Sequence, residues 1–297
     1  MKWLSTKLNY VIALAIITTL FSCKGGSKTD SDDVDAVALD SKEKVTKVFY
    51  AVPSPSELSA MIKATGANFN KNMLNPPASE SKYTSIIQKA LNLGVYGADL
   101  SYTSTFDQTQ EAMVYMGVCK KLADGLGITG AINENTVKRM EKNINDKDSL
   151  LKIISDTYLE TDIYLKNNDR AGVSALVVAG GWVEGLFISV NIAAQNAKNE
   201  TLVKRIAEQK LILENLIGLL ETNEANDNVP ELMTELKALK TIYDNVKMTE
   251  PAATAEVKTD EAAKKTVIGA SGELNLTPEQ LAEITKKISA IRAMIIS

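Results

Sequence analysis

Residues 171–194 read AGVSALVVAGGWVEGLFISVNIAA, 24 residues with a single charge at Glu184. By length this stretch would span a bilayer. A charge near the centre of a spanning helix costs about 2.5 kcal/mol or more, and Ser174, Ser189 and Asn191 add to that. The stretch reads better as the central helix of a soluble bundle, enclosed on most sides. Gly172, Gly180, Gly181 and Gly185 each lower helix stability by about 0.8–1.0 kcal/mol relative to alanine. Four such positions in one helix predict close packing, or a space that needs bare backbone.

A carboxyl inside such a helix needs a partner or a proton, which makes Glu184 the first candidate for function. Asn191 lies seven residues on, two turns along the same face. An earlier glycine-rich helix repeats the theme with Gly94, Tyr96, Gly97 and Asp99, and with Tyr102 three residues beyond. Asp99, Tyr102, Tyr115, Trp182, Glu184 and Asn191 are therefore the candidate ligand-binding residues, lining a polar pocket between helices. The competing account is a buried network satisfied by the protein itself. Two carboxyls also admit acid–base chemistry or a hard cation. Nothing in their spacing selects either, so no catalytic residue, metal site or cofactor is assigned.

The surrounding sequence continues the helical pattern, with no convincing strand alternation. Ser54-Pro55-Ser56-Glu57 is a capping box opening a short helix to Gly66. After Asn75-Pro76-Pro77, helices are expected over about 80–103, from an Asp107 cap to 126, over 134–145, 148–165, 169–196 and 200–222, and after Pro230. The helix after Pro230 sets Leu232, Leu236, Leu239, Tyr243 and Val246 on one face. Residues 248–276 read as a long loop or linker. A second capping box, Thr277-Pro278-Glu279-Gln280, opens the last helix at 277–297, with Leu281, Ile284, Ile288, Ile291 and Ile295 on one stripe. That stripe is too apolar for water and must dock on the bundle or on a partner helix. The fold class is all-α, a multi-helix bundle of about nine helices. A faint internal correspondence between about 80–165 and 169–295 would make it two related four-helix units.

Composition removes most enzyme classes. The 297 residues include no histidine, which excludes Ser-His-Asp and Cys-His triads and imidazole zinc sites. Two cysteines cannot form a disulfide scaffold or a four-cysteine metal site. A net charge of −4 argues against nucleic acid as a partner. Gly125-Leu126-Gly127-Ile128-Thr129-Gly130 matches a dinucleotide fingerprint in letters, but it follows a helix and reads as a helix stop. The acidic run 143–148 lacks the glycine of a calcium loop and reads as a turn. Cys119, three residues after Met116 on an apolar helix, reads as a core residue.

The amino terminus carries the clearest signal. Lys2 and Lys7 precede the apolar run from Tyr10 to Phe21, which ends in Leu20-Phe21-Ser22-Cys23. This resembles the lipobox of bacterial lipoproteins of the Gram-negative type. The resemblance covers only the signal segment, with Phe21 bulkier than is usual at its position. It implies a signal peptide over 1–22, cleavage before Cys23, and lipidation of Cys23 with acyl chains such as palmitate. Loss of Lys2 and Lys7 would take the net charge from −4 to −6. Residues 23–48, rich in Gly, Ser, Asp and Lys, read as a disordered tether leading to a helical domain over 49–297. Lys24, in place of aspartate after the cysteine, favours the outer membrane, at its periplasmic face or the cell surface. The expected partners are the membrane, through Cys23, and a small ligand or an envelope protein.

Three functions follow as expectations. A non-enzymatic binding or scaffolding module predicts a cavity near Trp182 and Glu184. An envelope adaptor predicts an exposed apolar groove near the last helix. A histidine-free hydrolase predicts two carboxylates facing each other across a cleft about 5–10 Å wide.

Overall fold

Most helix starts and stops in this chain trace to a short local signal. The structure is a computed structural model that describes residues 55–195, 199–223, 229–247, 258–260, 265–267 and 274–297. The signal segment 1–22, Cys23 and the tether 23–48 lie outside the described residues, as do Ser54 and much of 248–276.

Among the described residues the chain forms nine α-helices. They are α1 Pro55–Ala64, α2 Ile86–Thr105, α3 Thr109–Leu126, α4 Glu134–Lys142 and α5 Lys147–Asn167. The others are α6 Ala171–Gln195, α7 Glu200–Thr222, α8 Pro230–Asp244 and α9 Pro278–Ile295. The protein is an all-α multi-helix bundle. Two three-residue strands, Lys258–Asp260 and Lys265–Val267, pair antiparallel within the stretch that the sequence reads as a loop.

Three boundaries differ from expectation for one physical reason or another. Glu80 belongs to a separate 3-10 turn, Pro77–Lys82, and α2 begins only at Ile86. Ser85 and Gln88 cap that start reciprocally, a capping box missed in the sequence. Asp107 and Asp169 are not helix starts. Both sit in the left-handed region, with φ of 58° and 56°. Gln108 N–H donates to the Thr103 carbonyl at 2.9 Å, and Arg170 N–H to Leu165 at 2.8 Å. These are the long closing bonds of the stop normally built on glycine, with aspartate in its place. Gly127, with φ of 70°, ends α3 in the same way, as its glycine run predicts.

At the centre, α6 packs along α2, and 18 of its 25 residues are buried. That burial decides between the two readings of residues 171–194. The helix is long and apolar enough to cross a membrane, yet its surface is already covered by protein. Helices α1, α3 and α5 surround α2, while α7 and α9 flank α6. The sets α2–α5 and α6–α9 share part of a neighbour pattern. In each, the first helix touches the second and fourth, and the third touches the fourth. The α9 stripe docks on α6 and α8, with Leu281, Ile284, Ile288, Ile291 and Ile295 all buried.

Candidate functional site

The glycines of α2 and α6 let the two backbones meet. A Cβ on Gly94 would lie 2.0 Å from the Val177 carbonyl oxygen, and one on Gly180 would lie 1.9 Å from that of Leu91. No side chain fits at this crossing. About one turn further along each helix stand Asp99 and Glu184, both fully buried. The crossing brings their carboxyls close enough for each to act on the other electrostatically.

One cation pairs with Glu184. From α9, Arg292 grips Glu184 through Nε to Oε2 at 2.6 Å and Nη2 to Oε1 at 2.9 Å. Nη2 also donates to the Met73 carbonyl at 2.9 Å, and the guanidinium lies 4.3 Å from the centre of the Phe187 ring. Such a forked pair is among the stronger protein contacts. Asp99 receives the Asn75 N–H on Oδ2 at 3.1 Å, while its Oδ1 has no donor. Two ionised carboxylates this close would repel, and an orphan buried acceptor is costly. A proton on Asp99 removes both problems by turning an acceptor into a donor toward Glu184. Burial chiefly, with the nearby Glu184 charge, pushes the Asp99 carboxyl well above its usual range. Burial raises Glu184 too, against the opposing pull of Arg292.

The network extends through Tyr96 and Tyr115, named from the sequence, and through Asn75, Tyr83 and Asn92, which the sequence did not mark as site residues. Asn75 Nδ2 donates to Tyr83 Oη at 3.0 Å, and Tyr115 Oη donates to the Asn75 carbonyl at 3.1 Å. Tyr96 Oη donates to the Pro76 carbonyl at 2.8 Å. Asn92 Nδ2 reaches the Ile295 carbonyl at 3.0 Å and so closes the end of α9. One clue to Arg292 was available. It is one of only four arginines in the chain, and it sits four residues after Ile288, on the edge of the buried stripe. Asn75 and Tyr83 lie in irregular segments, where no periodicity marks an inward side chain.

Of the six candidate residues, Asp99, Tyr115 and Glu184 come together, and Tyr102, Trp182 and Asn191 do not. Trp182 precedes Glu184 by two residues, about 200° around the helix. It faces α7, where Nε1 donates to Gln209 Oε1 at 2.9 Å. Tyr102 turns to a separate aromatic group, with ring centres 5.4 Å from Phe69 and 4.8 Å from Phe106. Asn191 shares the Glu184 face but lies about 10 Å further along, and it donates to the Phe187 carbonyl of its own helix at 2.7 Å. Both Glu184 oxygens are held by Arg292, so a ligand or water would have to compete with the guanidinium to reach them.

A proton on Asp99 would have a measurable consequence. Its folded pKa is raised, so its contribution to stability is complete below the unfolded value near 4 and is lost as pH rises from there through the folded value. Asp99→Asn keeps an acceptor for Asn75 and a donor for Glu184 without needing a proton. The variant should unfold at higher urea concentration than the parent at pH 8, and the difference should shrink toward pH 4. Parallel curves at all pH values would show that Asp99 is ionised in the folded protein.

On another side of α2 lies a narrow cleft. Its walls come from α2, α3, α4, α5 and Val177 of α6, and they are almost wholly apolar. Cys119 forms part of the wall and is buried, as the sequence suggested. Burial pushes its thiol far up, so it is a poor nucleophile. Among the described residues no group of three or more acidic or cysteine side chains is placed to hold a metal ion. No family model, curated protein or solved structure matches this chain.

Proposed function

We propose that the protein is a lipid-anchored outer-membrane protein of the cell envelope, whose helical domain is a non-enzymatic module that binds a small apolar molecule. The anchor is supported by the residues around Cys23: two lysines, a short apolar core, and a small residue before the cysteine. Each buried methylene of an acyl chain contributes about 0.8 kcal/mol, so several chains together hold firmly.

The observation that carries the binding function is the cleft. Its lining is almost wholly apolar, as small-molecule sites require. The alternatives have less support. A carboxylate hydrolase needs two acids separated by a space for substrate. Asp99 and Glu184 are fully buried side by side, with no substrate-sized space between them described, and Glu184 is held by Arg292. An adaptor groove around the last helix is filled by the docking of α9.

Cys23→Ser should move the chain from the membrane pellet to the soluble fraction and abolish labelling by an alkyne fatty acid. Continued sedimentation with label intact would sink the anchor. The released chain should then bind 1-aminoanthracene saturably, one molecule per chain. Linear, unsaturable uptake would sink the binding module.

A further inference from the structure

We infer that helix α4 is a lid on the apolar cleft, and that it swings outward as a rigid piece to admit a ligand. The inference rests on the binding function proposed above, for which it supplies the route of entry.

As it stands the cleft is nearly filled by its own walls. Its free space is about 50 Å³. An apolar cavity of about 150 Å³ is what takes benzene, so no ring-sized molecule fits beside these walls where they are. One of them has to yield before an apolar ligand enters.

The wall with the least to hold it is α4. Ile132, Thr136, Val137 and Met140 form its side of the cleft. Six of its nine residues, Glu134, Asn135, Lys138, Arg139, Glu141 and Lys142, are exposed. The grip of α4 on the bundle is therefore left to Thr136, Val137 and Met140, and its main helical neighbour is α5. Among the described residues, the hydrogen bonds and ion pairs of α4 stay within residues 130–146. The other walls are fastened by polar ties to distant segments. Tyr115 of α3 donates to the Asn75 carbonyl, Asn92 of α2 to that of Ile295, and Asp162 of α5 accepts from Ser174. A segment with few buried apolar contacts and no such tie is the kind that opens locally while the rest stays folded.

The piece also carries its own caps. Asn133 Oδ1 accepts the N–H groups of Asn135 at 2.9 Å and Thr136 at 3.1 Å, and Asn143 Nδ2 donates to the Arg139 carbonyl at 2.7 Å. With both ends satisfied internally, α4 needs no bond from the bundle to remain helical. Its flanks are fixed. Ile128 is fully buried, and a Cβ on Gly130 would stand 2.4 Å from the Tyr164 ring. On the far side Asp146 caps α5 and Leu150 is buried. Rotation then falls on the few residues between, 131–133 and 143–145, as hinges usually do. Lifting α4 uncovers Leu100, Met116, Cys119 and Ile154 together. An apolar ligand that covers them in place of Met140 and Val137 binds the open form and draws the protein toward it.

Cys119 reports on the lid without any ligand. In the full-length Cys23→Ser chain it is the sole thiol, and it is buried in the cleft wall. Its labelling by methyl methanethiosulfonate at pH 8, followed by mass spectrometry, should run at a rate that is flat in low urea, because lifting α4 exposes little surface. Met140→Ala should speed labelling at least tenfold. Arg292→Met weakens the bundle away from the cleft and should leave the rate within about twofold, with circular dichroism confirming that both variants are folded. A rate that climbs steeply with urea in the parent would overturn the lid, since Cys119 would then be reached by global unfolding alone. So would equal acceleration by the two variants. Saturating 1-aminoanthracene should slow labelling at least fivefold. Binding of the dye with an unchanged rate would overturn entry under α4 and leave the binding module standing. No binding, with labelling still accelerated by Met140→Ala, would sink the binding module and leave the lid.

Discussion

Arg292→Met is expected to destabilise the protein by about 3–5 kcal/mol, the range found when one partner of a buried ion pair is removed. Glu184 is fully buried, and both of its oxygens are held by this one side chain. Methionine fills comparable space beside Phe187 but supplies neither charge nor donor, and the Met73 carbonyl also loses its partner. Many domains are stable by only about 5–15 kcal/mol, so a loss of this size would be plain in a urea titration followed by circular dichroism. The pH dependence gives the cause. Without arginine, Glu184 must take up a proton to remain buried, which raises its folded pKa further. The deficit should be full only above the raised folded value of Glu184 in the variant, and should shrink as pH falls through that value toward the unfolded carboxyl value near 4. The double variant Glu184→Gln, Arg292→Met should be more stable than Arg292→Met alone, because no buried charge is left uncompensated. If the double variant is the weaker of the two, Arg292 acts through packing and not as the counter-ion.

The same pair shows where sequence reading succeeds and where it stops. Glu184 stood out because one charge in 24 apolar residues is an anomaly visible in one dimension. Its match with Asp99 was legible because both follow glycines closely. Periodicity likewise located the nine helices and the stripe of α9. Angular arithmetic would have separated Trp182 from Glu184, since two helical residues about 200° apart cannot share a pocket. Other features depend on long-range geometry that local pattern does not encode. Arg292 lies 108 residues from Glu184, and Asn75 enters the network from a segment without regular period. The cleft was invisible for a related reason. Its lining residues are buried apolar positions on several helices, and the sequence marks them as core whether or not the core closes over them. Aspartates at 107 and 169 misled because the residue types that start helices also tolerate the left-handed stop.

Glycine in these helices has more than one meaning, and a single methyl group separates them. Gly180→Ala should gain about 0.8–1.0 kcal/mol from helix propensity alone. The structure predicts the opposite sign. The new carbon would stand 1.9 Å from the Leu91 carbonyl oxygen and 2.7 Å from its carbon, both backbone atoms of a packed helix. No rotamer change relieves such a contact, so α2 and α6 must move apart. Overpacking of this kind costs about 1–3 kcal/mol when side chains can yield, and more where they cannot. A net loss of about 3 kcal/mol or more is expected. Separation would also part Asp99 from Glu184, about one turn away. Trp182, the one tryptophan beyond residue 22, should report the change as a red-shifted emission. Gly97→Ala and Gly117→Ala serve as controls, because their added carbons meet nothing within 4 Å. Both should be neutral or more stable than the parent. If Gly180→Ala ranks with them, the two central helices do not meet backbone to backbone, and the geometry that joins the buried carboxyls fails with that contact.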